Sequence, residues 1–171
     1  NYGIKLCVKS SQSDSSGTFL ESQIQPLPLK RGSLELTKTV NSLEIVENQA
    51  VFSLSNIPDK PGIAAQIFEK LSEAGINVDL IIQATNDGNN NDITFTVSEL
   101  EVKKTAEQCE LITSQLGGEY NLKTNMTKLS IQGAGIMGRP SVSADLFDTL
   151  SQANINVRLI ATSEIKVSCV I

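Results

Sequence analysis

Histidine and tryptophan are both missing from these 171 residues, and aromatic side chains make up only 4% of them. Without histidine, Ser-His-Asp and Cys-His catalysis, His-bearing zinc sites and the usual proton shuttle of neutral pH are all excluded. A catalyst made from this chain alone would depend on carboxylates, lysine or an external cofactor, so the composition points toward binding. Cysteine is scarce as well. Cys7, Cys109 and Cys169 are far apart and odd in number, which argues against a disulfide framework and for a reducing, cytoplasmic compartment. Each is expected to be a small buried apolar group. No apolar run approaches the roughly 20 residues that span a bilayer. The opening Asn1-Tyr2-Gly3 has neither the basic flank nor the apolar stretch of a signal peptide. Basic residues are outnumbered, 14 Lys and Arg against 19 Asp and Glu, for a net charge of −5. Such a surface repels phosphate backbones and anionic lipid, so neither nucleic acid nor membrane is expected as a partner.

What is present is a repeat. Hydrophobic residues make up 40% of the chain, enough for folded cores. Pro61 to Gln83 reads PGIAAQIFEKLSEAGINVDLIIQ and Pro140 to Thr162 reads PSVSADLFDTLSQANINVRLIAT, an offset of 79 residues with 11 of 23 positions identical. A fixed internal period signals two copies of one supersecondary unit. In each copy an apolar strand comes first, Val51 to Leu54 and again Lys128 to Gln132. A loop ending in proline follows, and proline suits a first helical turn because its missing N–H would lack a partner there anyway. In the helix, Ile63, Ile67, Phe68, Leu71 and Ala74 recur near a 3.6-residue period, and Gly75 is placed to end it. The next strand, Val78 to Ile82, is an unbroken apolar run that reads as well buried.

The first copy continues through the polar loop Asn86 to Asn91 into a third strand, Ile93 to Val97. A second helix follows with Val102, Ala106, Cys109, Ile112 and Leu116 on one stripe, then Gly117-Gly118 and a short strand, Tyr120 to Lys123. The order βαββαβ predicts an α+β fold: two ferredoxin-like units, antiparallel sheets with their helices on one face. The second copy reaches its third strand, Ile165 to Ile171, without a second helix or a fourth strand, as a segment cut from a longer chain would. Val40 to Val46 is placed to supply that fourth strand from ahead of the first unit, nesting one domain in the other. The expected division is 1–20 as the end of a preceding domain, 21–39 as a linker carrying the prolines of Gln23 to Arg31, 48–123 as the first unit, and 40–47 with 124–171 as the second, incomplete at its C-terminus.

These segments carry a resemblance. Asn48 to Gln83, with the later DITFTV of Asp92 to Val97, resembles the first ACT domain of aspartokinases. Lys128 to Ile171, with its ATSEIKVS, looks like their second ACT domain, and Asn1 to Thr18 is similar to the last strand and exit loop of their kinase domain. The resemblance implies a parent enzyme that phosphorylates the side-chain carboxylate of aspartate with ATP and Mg, on the route to lysine, threonine and methionine. It implies a non-catalytic regulatory segment here, with no catalytic residue, metal or cofactor of its own. It further implies that ACT pairs dimerise sheet edge to sheet edge and bind end-product amino acids, lysine or threonine, in the clefts, which act on the kinase domain of the same chain.

A free amino acid presents a carboxylate, an ammonium and a side chain. A helix N-terminus suits the carboxylate and a nearby acid suits the ammonium. The loop Ile57 to Gly62 offers both, with Asp59 as the acid and backbone donors after Pro61. The plainer role for Asp59 is to favour the helix dipole. The resemblance carries effector contacts onto Asn77, Val78, Asp79 and Gln83 of the first unit, and onto Asn156, Val157 and Ser163 of the second. Ordinary turn chemistry would also explain Asn77 and Asp79. Gln83 is the more telling, as an amide interrupting an apolar strand. Two acids, Asp59 and Asp79, favour lysine with its two ammonium groups. In the second unit Asp59 becomes Gly138, Asp79 becomes Arg158 and Gln83 becomes Thr162, which reads as a degenerate or helper site.

Three rival readings fit less well. An RNA-binding module of the same shape would need sheet aromatics and a basic surface. A small acylphosphatase-like enzyme would need a phosphate loop with a positioned arginine, and only Arg139 lies in a glycine-rich loop. An ACT pair from another enzyme, or a stand-alone regulator, would not need the kinase-like opening segment.

Overall fold

The computed structural model describes residues 6–8, 18–20, 39–86, 90–136 and 138–171. Residues Asn1–Glu35 and Leu36–Ile171 form separate compact units. In the first, β1 (Leu6–Val8) pairs antiparallel with β2 (Thr18–Leu20), with Cys7 opposite Phe19. The expected linker around Gln23 to Arg31 lies outside the described residues, as do Asp87 to Asn89 of the polar loop.

The second unit is built on two long strands. β3 runs Ser42–Pro58 and β6 runs Glu119–Gln132, and they pair antiparallel along most of their length, from Ser42 opposite Gln132 to Ser55 opposite Glu119. The sequence predicted four short strands here. Instead, Ser42 to Val46 of the expected Val40–Val46 strand and Val51 to Leu54 fall on one continuous strand, and Tyr120 to Lys123 and Lys128 to Gln132 on another. The register shifts between Val46 and Val51, and Asn48 and Asn125 take positive φ values of 55° and 56° there. Asparagine tolerates that left-handed turn of the backbone, so a strand can bend without ending.

Around these two strands the remaining elements are α1 (Ile63–Glu73), β4 (Ile81–Asn86), β5 (Asn90–Ser98), α2 (Val102–Leu116), α3 (Pro140–Gln152), β7 (Leu159–Thr162) and β8 (Lys166–Val170). The sheet order is β4-β5-β3-β6-β8-β7, antiparallel throughout. The C-terminal half of β3 thus serves the first repeat, while its N-terminal half, Ser42 to Val46, pairs with Lys128 to Gln132 of the second. Each half of the sheet has the ferredoxin-like order.

The helices end as their punctuation predicts. After α1, Gly75 has φ 63°, and the N–H of Ile76 reaches back to Leu71 O at 2.9 Å. After α3 the equivalent Asn154 has φ 57°, and Ile155 N–H reaches Leu150 O at 2.9 Å. This is the same reverse-turn cap in both copies, glycine in one and asparagine in the other. At the end of α2, Gly118 with φ 83° passes so close to β3 that an added Cβ would stand 2.3 Å from Ser55 O. No helix of the described residues is long and apolar enough to cross a membrane.

The first repeat has the fuller core. Phe52 stacks on Phe95 with ring centroids 5.7 Å apart, Phe68 meets Phe95 edge-on, and Leu54, Ile67, Leu71, Cys109 and Ile112 close around them. Burying each large side chain contributes about 1.5–3 kcal/mol. The second repeat gathers a smaller cluster, Ile131, Ile136 and Val167, under α3. Leu43 and Ile45, across the sheet from Ile131 and Leu129, stay 61% and 56% exposed. β4 departs from the prediction. It begins at Ile81 rather than Val78 and is largely exposed, because it is an edge strand with a neighbour on one side only.

Candidate functional site

A cavity of about 350 Å³ opens beneath the start of α1, lined by Asp59 to Ala64, Gln83, Asn91 and Ile93. Gly62 makes its floor possible. With φ 91° it turns the chain into the helix, and nothing lies within 4 Å of where its Cβ would be. No side chain caps the helix at this residue. The N–H of Ile63 is held by Lys60 O at 3.3 Å and that of Gln66 by Gly62 O at 3.0 Å, leaving those of Ala64 and Ala65 without a backbone acceptor among the described residues. Such free donors at the positive end of a helix attract a carboxylate.

Asp59 lines the same cavity as Ala64. Its Oδ1 accepts a 2.7 Å hydrogen bond from Asn91 Nδ2. Asn91 is 5% exposed, and its own Oδ1 is buried with no donor among the described residues. A buried acceptor left unpaired costs about 1–3 kcal/mol. Gln83 lines the same cavity from β4 but is exposed, so the expectation of an amide trapped in a buried strand is corrected. The edge position of β4 leaves that side chain facing the opening instead.

Asp79, Asn77 and Val78 lie elsewhere, in a second cavity of about 430 Å³ shared with Gln49, Ser98, Glu101 and Lys128. Asp79 is ion-paired there with Lys128 Nζ, whose side chain is 10% exposed. Asn77 N–H donates to Glu101 Oε1 at 3.2 Å. Asp79 therefore already has a cation, supplied by the first strand of the second repeat. Asn156 and Val157 line a third cavity of about 370 Å³ with Phe147 and Ser151. Ser163 sits in the turn from β7 to β8, with its N–H on Lys166 O at 2.7 Å.

Within one copy, then, the fold brings Asp59 and Gln83 together and keeps both apart from Asp79 and from Asn156, Val157 and Ser163. The first and last groups belong to opposite edges of the sheet, five inter-strand spacings apart, which is roughly 24 Å. Sequence reasoning missed Asn91, reading it as loop. The available signal was a period of two: counting back from Val97 through Phe95 and Ile93 lands on Asn91. In the second repeat the register places Ile165 at the equivalent of Asn91, since Gln83 lies opposite Ile93 and Thr162 opposite Val167. That copy thus lacks the acid, the glutamine and the buried amide together.

The sequence matches the profile of the ACT domain over residues 55–110 and 129–171. It is 35% identical over 172 residues to an aspartokinase of Thermus thermophilus, covering 99% of this chain and 40% of that protein's length. The fold is similar to the regulatory subunit of aspartate kinase from Thermus flavus, with a TM-score of 0.71 and 35% identity over 77% of this chain and 87% of that one. It is also similar to aspartate kinase from Synechocystis, with a TM-score of 0.77 and 37% identity over 99% of this chain and 30% of that one. The chain belongs to the ACT-domain family, as a regulatory region of the aspartate kinase type.

Proposed function

We propose that this chain senses an end-product amino acid and transmits its occupancy to a kinase domain, inhibiting the phosphorylation of aspartate by ATP and Mg in the cytoplasm. The observation that carries this reading is the cavity under α1, which Asp59 lines together with Ala64, whose N–H has no backbone acceptor among the described residues. A carboxylate on the helix and an ammonium at Asp59 is the pairing that an α-amino acid offers. Gln83 stands at the rim to contact the remaining group. Lysine and threonine are the candidate effectors. With Asp79 neutralised by Lys128, the cavity holds one acid, which suits one ammonium and favours threonine over lysine.

Asn156, Val157 and Ser163 join this site, in our reading, from a second copy whose β7 edge lies beside the β4 edge of the first. A site divided in this way responds to the relative placement of two copies, and a ligand shifts such an equilibrium by its differential affinity for the two states. Losing one charge-assisted contact costs about 1.5–3 kcal/mol, roughly ten- to a hundredfold in affinity. Asp59→Ala in the parent enzyme is therefore expected to leave uninhibited turnover intact and to raise the inhibitory effector concentration by that factor, read from kinase assays across an effector series. Lost turnover with an unchanged inhibitory concentration would make Asp59 structural and place the pocket elsewhere.

A further inference from the structure

Asn91 occupies a position where the alternation of β5 calls for an apolar side chain. Ile93, Phe95 and Val97 share its face and are 2%, 0% and 1% exposed, and Asn91 extends that row at 5%. The strand is internal, paired with β3 at Ile57 and with β4 at Thr85. A carboxylate accepts and cannot donate, so the bond from Asn91 Nδ2 to Asp59 Oδ1 fixes which way the amide points. The oxygen is thereby the group left over, buried beside the carboxylate with no donor among the described residues. A core amide used only to tether Asp59 would not need to strand its oxygen there.

We infer that Asn91 is a ligand-contact residue, its Oδ1 accepting one N–H of the effector's ammonium while its Nδ2 aims the Asp59 carboxylate at another. The inference rests on the effector reading above and deepens it by naming the head group the cavity selects, an ammonium with at least two N–H donors. Because Oδ1 is covered in this state, the ammonium reaches it only when the cavity wall around Asn91 rearranges. Contact with Oδ1 exists only in the bound arrangement, which is the differential interaction that a population shift needs.

The test pairs a side chain with a ligand. Calorimetric titration of the protein with L-threonine and with N,N-dimethyl-L-threonine, which keeps a single N–H, is repeated on Asn91→Leu. In the unaltered protein dimethylation is expected to weaken binding at least tenfold. Asn91→Leu is expected to weaken L-threonine by a similar factor, to bind the two ligands nearly alike, and to keep or raise the melting temperature of the ligand-free protein, since it removes a stranded acceptor. The non-additivity assigns the second N–H to Asn91. Asn91→Ser, which keeps a hydroxyl acceptor in less volume, is expected to fall between the two. If both variants bind L-threonine as the unaltered protein does, or if dimethylation costs the same in each, the inference fails while the effector reading survives. If the unaltered protein binds neither threonine, lysine nor methionine, both fail together.

Discussion

Cys109 shows how one residue's surroundings set its chemistry. It lies on the inner stripe of α2, fully buried, and burial pushes its thiol from 9.0 up to about 12. Cys169 is buried too and its thiol is raised for the same reason. Below the unfolded pKa both states keep the proton, and the contribution of Cys109 to stability is complete. Between about pH 9 and 12 the unfolded chain releases the proton and the folded one holds it, so stability falls by about 1.4 kcal/mol per pH unit. Two outcomes follow. Peptide mapping after iodoacetamide at pH 8 should find Cys109 and Cys169 unmodified until denaturant is added. The urea midpoint should fall between pH 9 and 11, and less steeply in Cys109→Ala. Rapid labelling of the native protein would show that the core opens readily around α2.

Among the elements, β3 and β6 carry both repeats, and the bend they share is the joint between them. Asn48 and Asn125 hold it, one in each strand, both in the left-handed region. Most side chains cost about 1–2 kcal/mol there, a cost that glycine avoids and asparagine largely escapes. Asn48→Val should therefore lower stability by about that amount, and Asn48→Gly should leave it nearly unchanged, both read from urea midpoints at constant slope. Equal effects from the two substitutions would mean that the asparagine side chain, and not its backbone, holds the bend. The ion pair of Asp79 with Lys128 spans the same joint from the first repeat to the second.

At the scale of the whole molecule, the exposed surface suggests a partner. β4 and β7 close the two ends of the sheet, and Ile81 and Ile160 on them are 52% and 48% exposed. An edge with apolar side chains and unpaired backbone groups is a template for another strand. A dimer of the 18.4 kDa chain is the expected species in light scattering at high micromolar concentration. Ile160→Lys should shift it toward monomer while preserving the circular dichroism spectrum. A strict monomer with threonine present would contradict edge pairing, and with it the divided effector site.

The local features were legible in the residues themselves. Proline at the start of α1 and α3, glycine after α1 and α2, and a 3.6-residue apolar spacing act within one or two turns, so no distant contact was needed to read these helices. The repeat exposed the strand missing from the second unit, and Val40 to Val46 could be named as its source because a sheet half needs a fourth strand. Only the folded chain settled what depends on neighbours far along the sequence. Val78 to Ile82 reads as buried, yet whether an apolar run lies inside a sheet or at its edge is decided by which strands flank it. Asp79 reads as a free acid until β6 brings Lys128 alongside. Asn91 reads as loop until β3 and β4 close on either side of it, and then a residue suited to turns becomes a buried amide in the cavity lining.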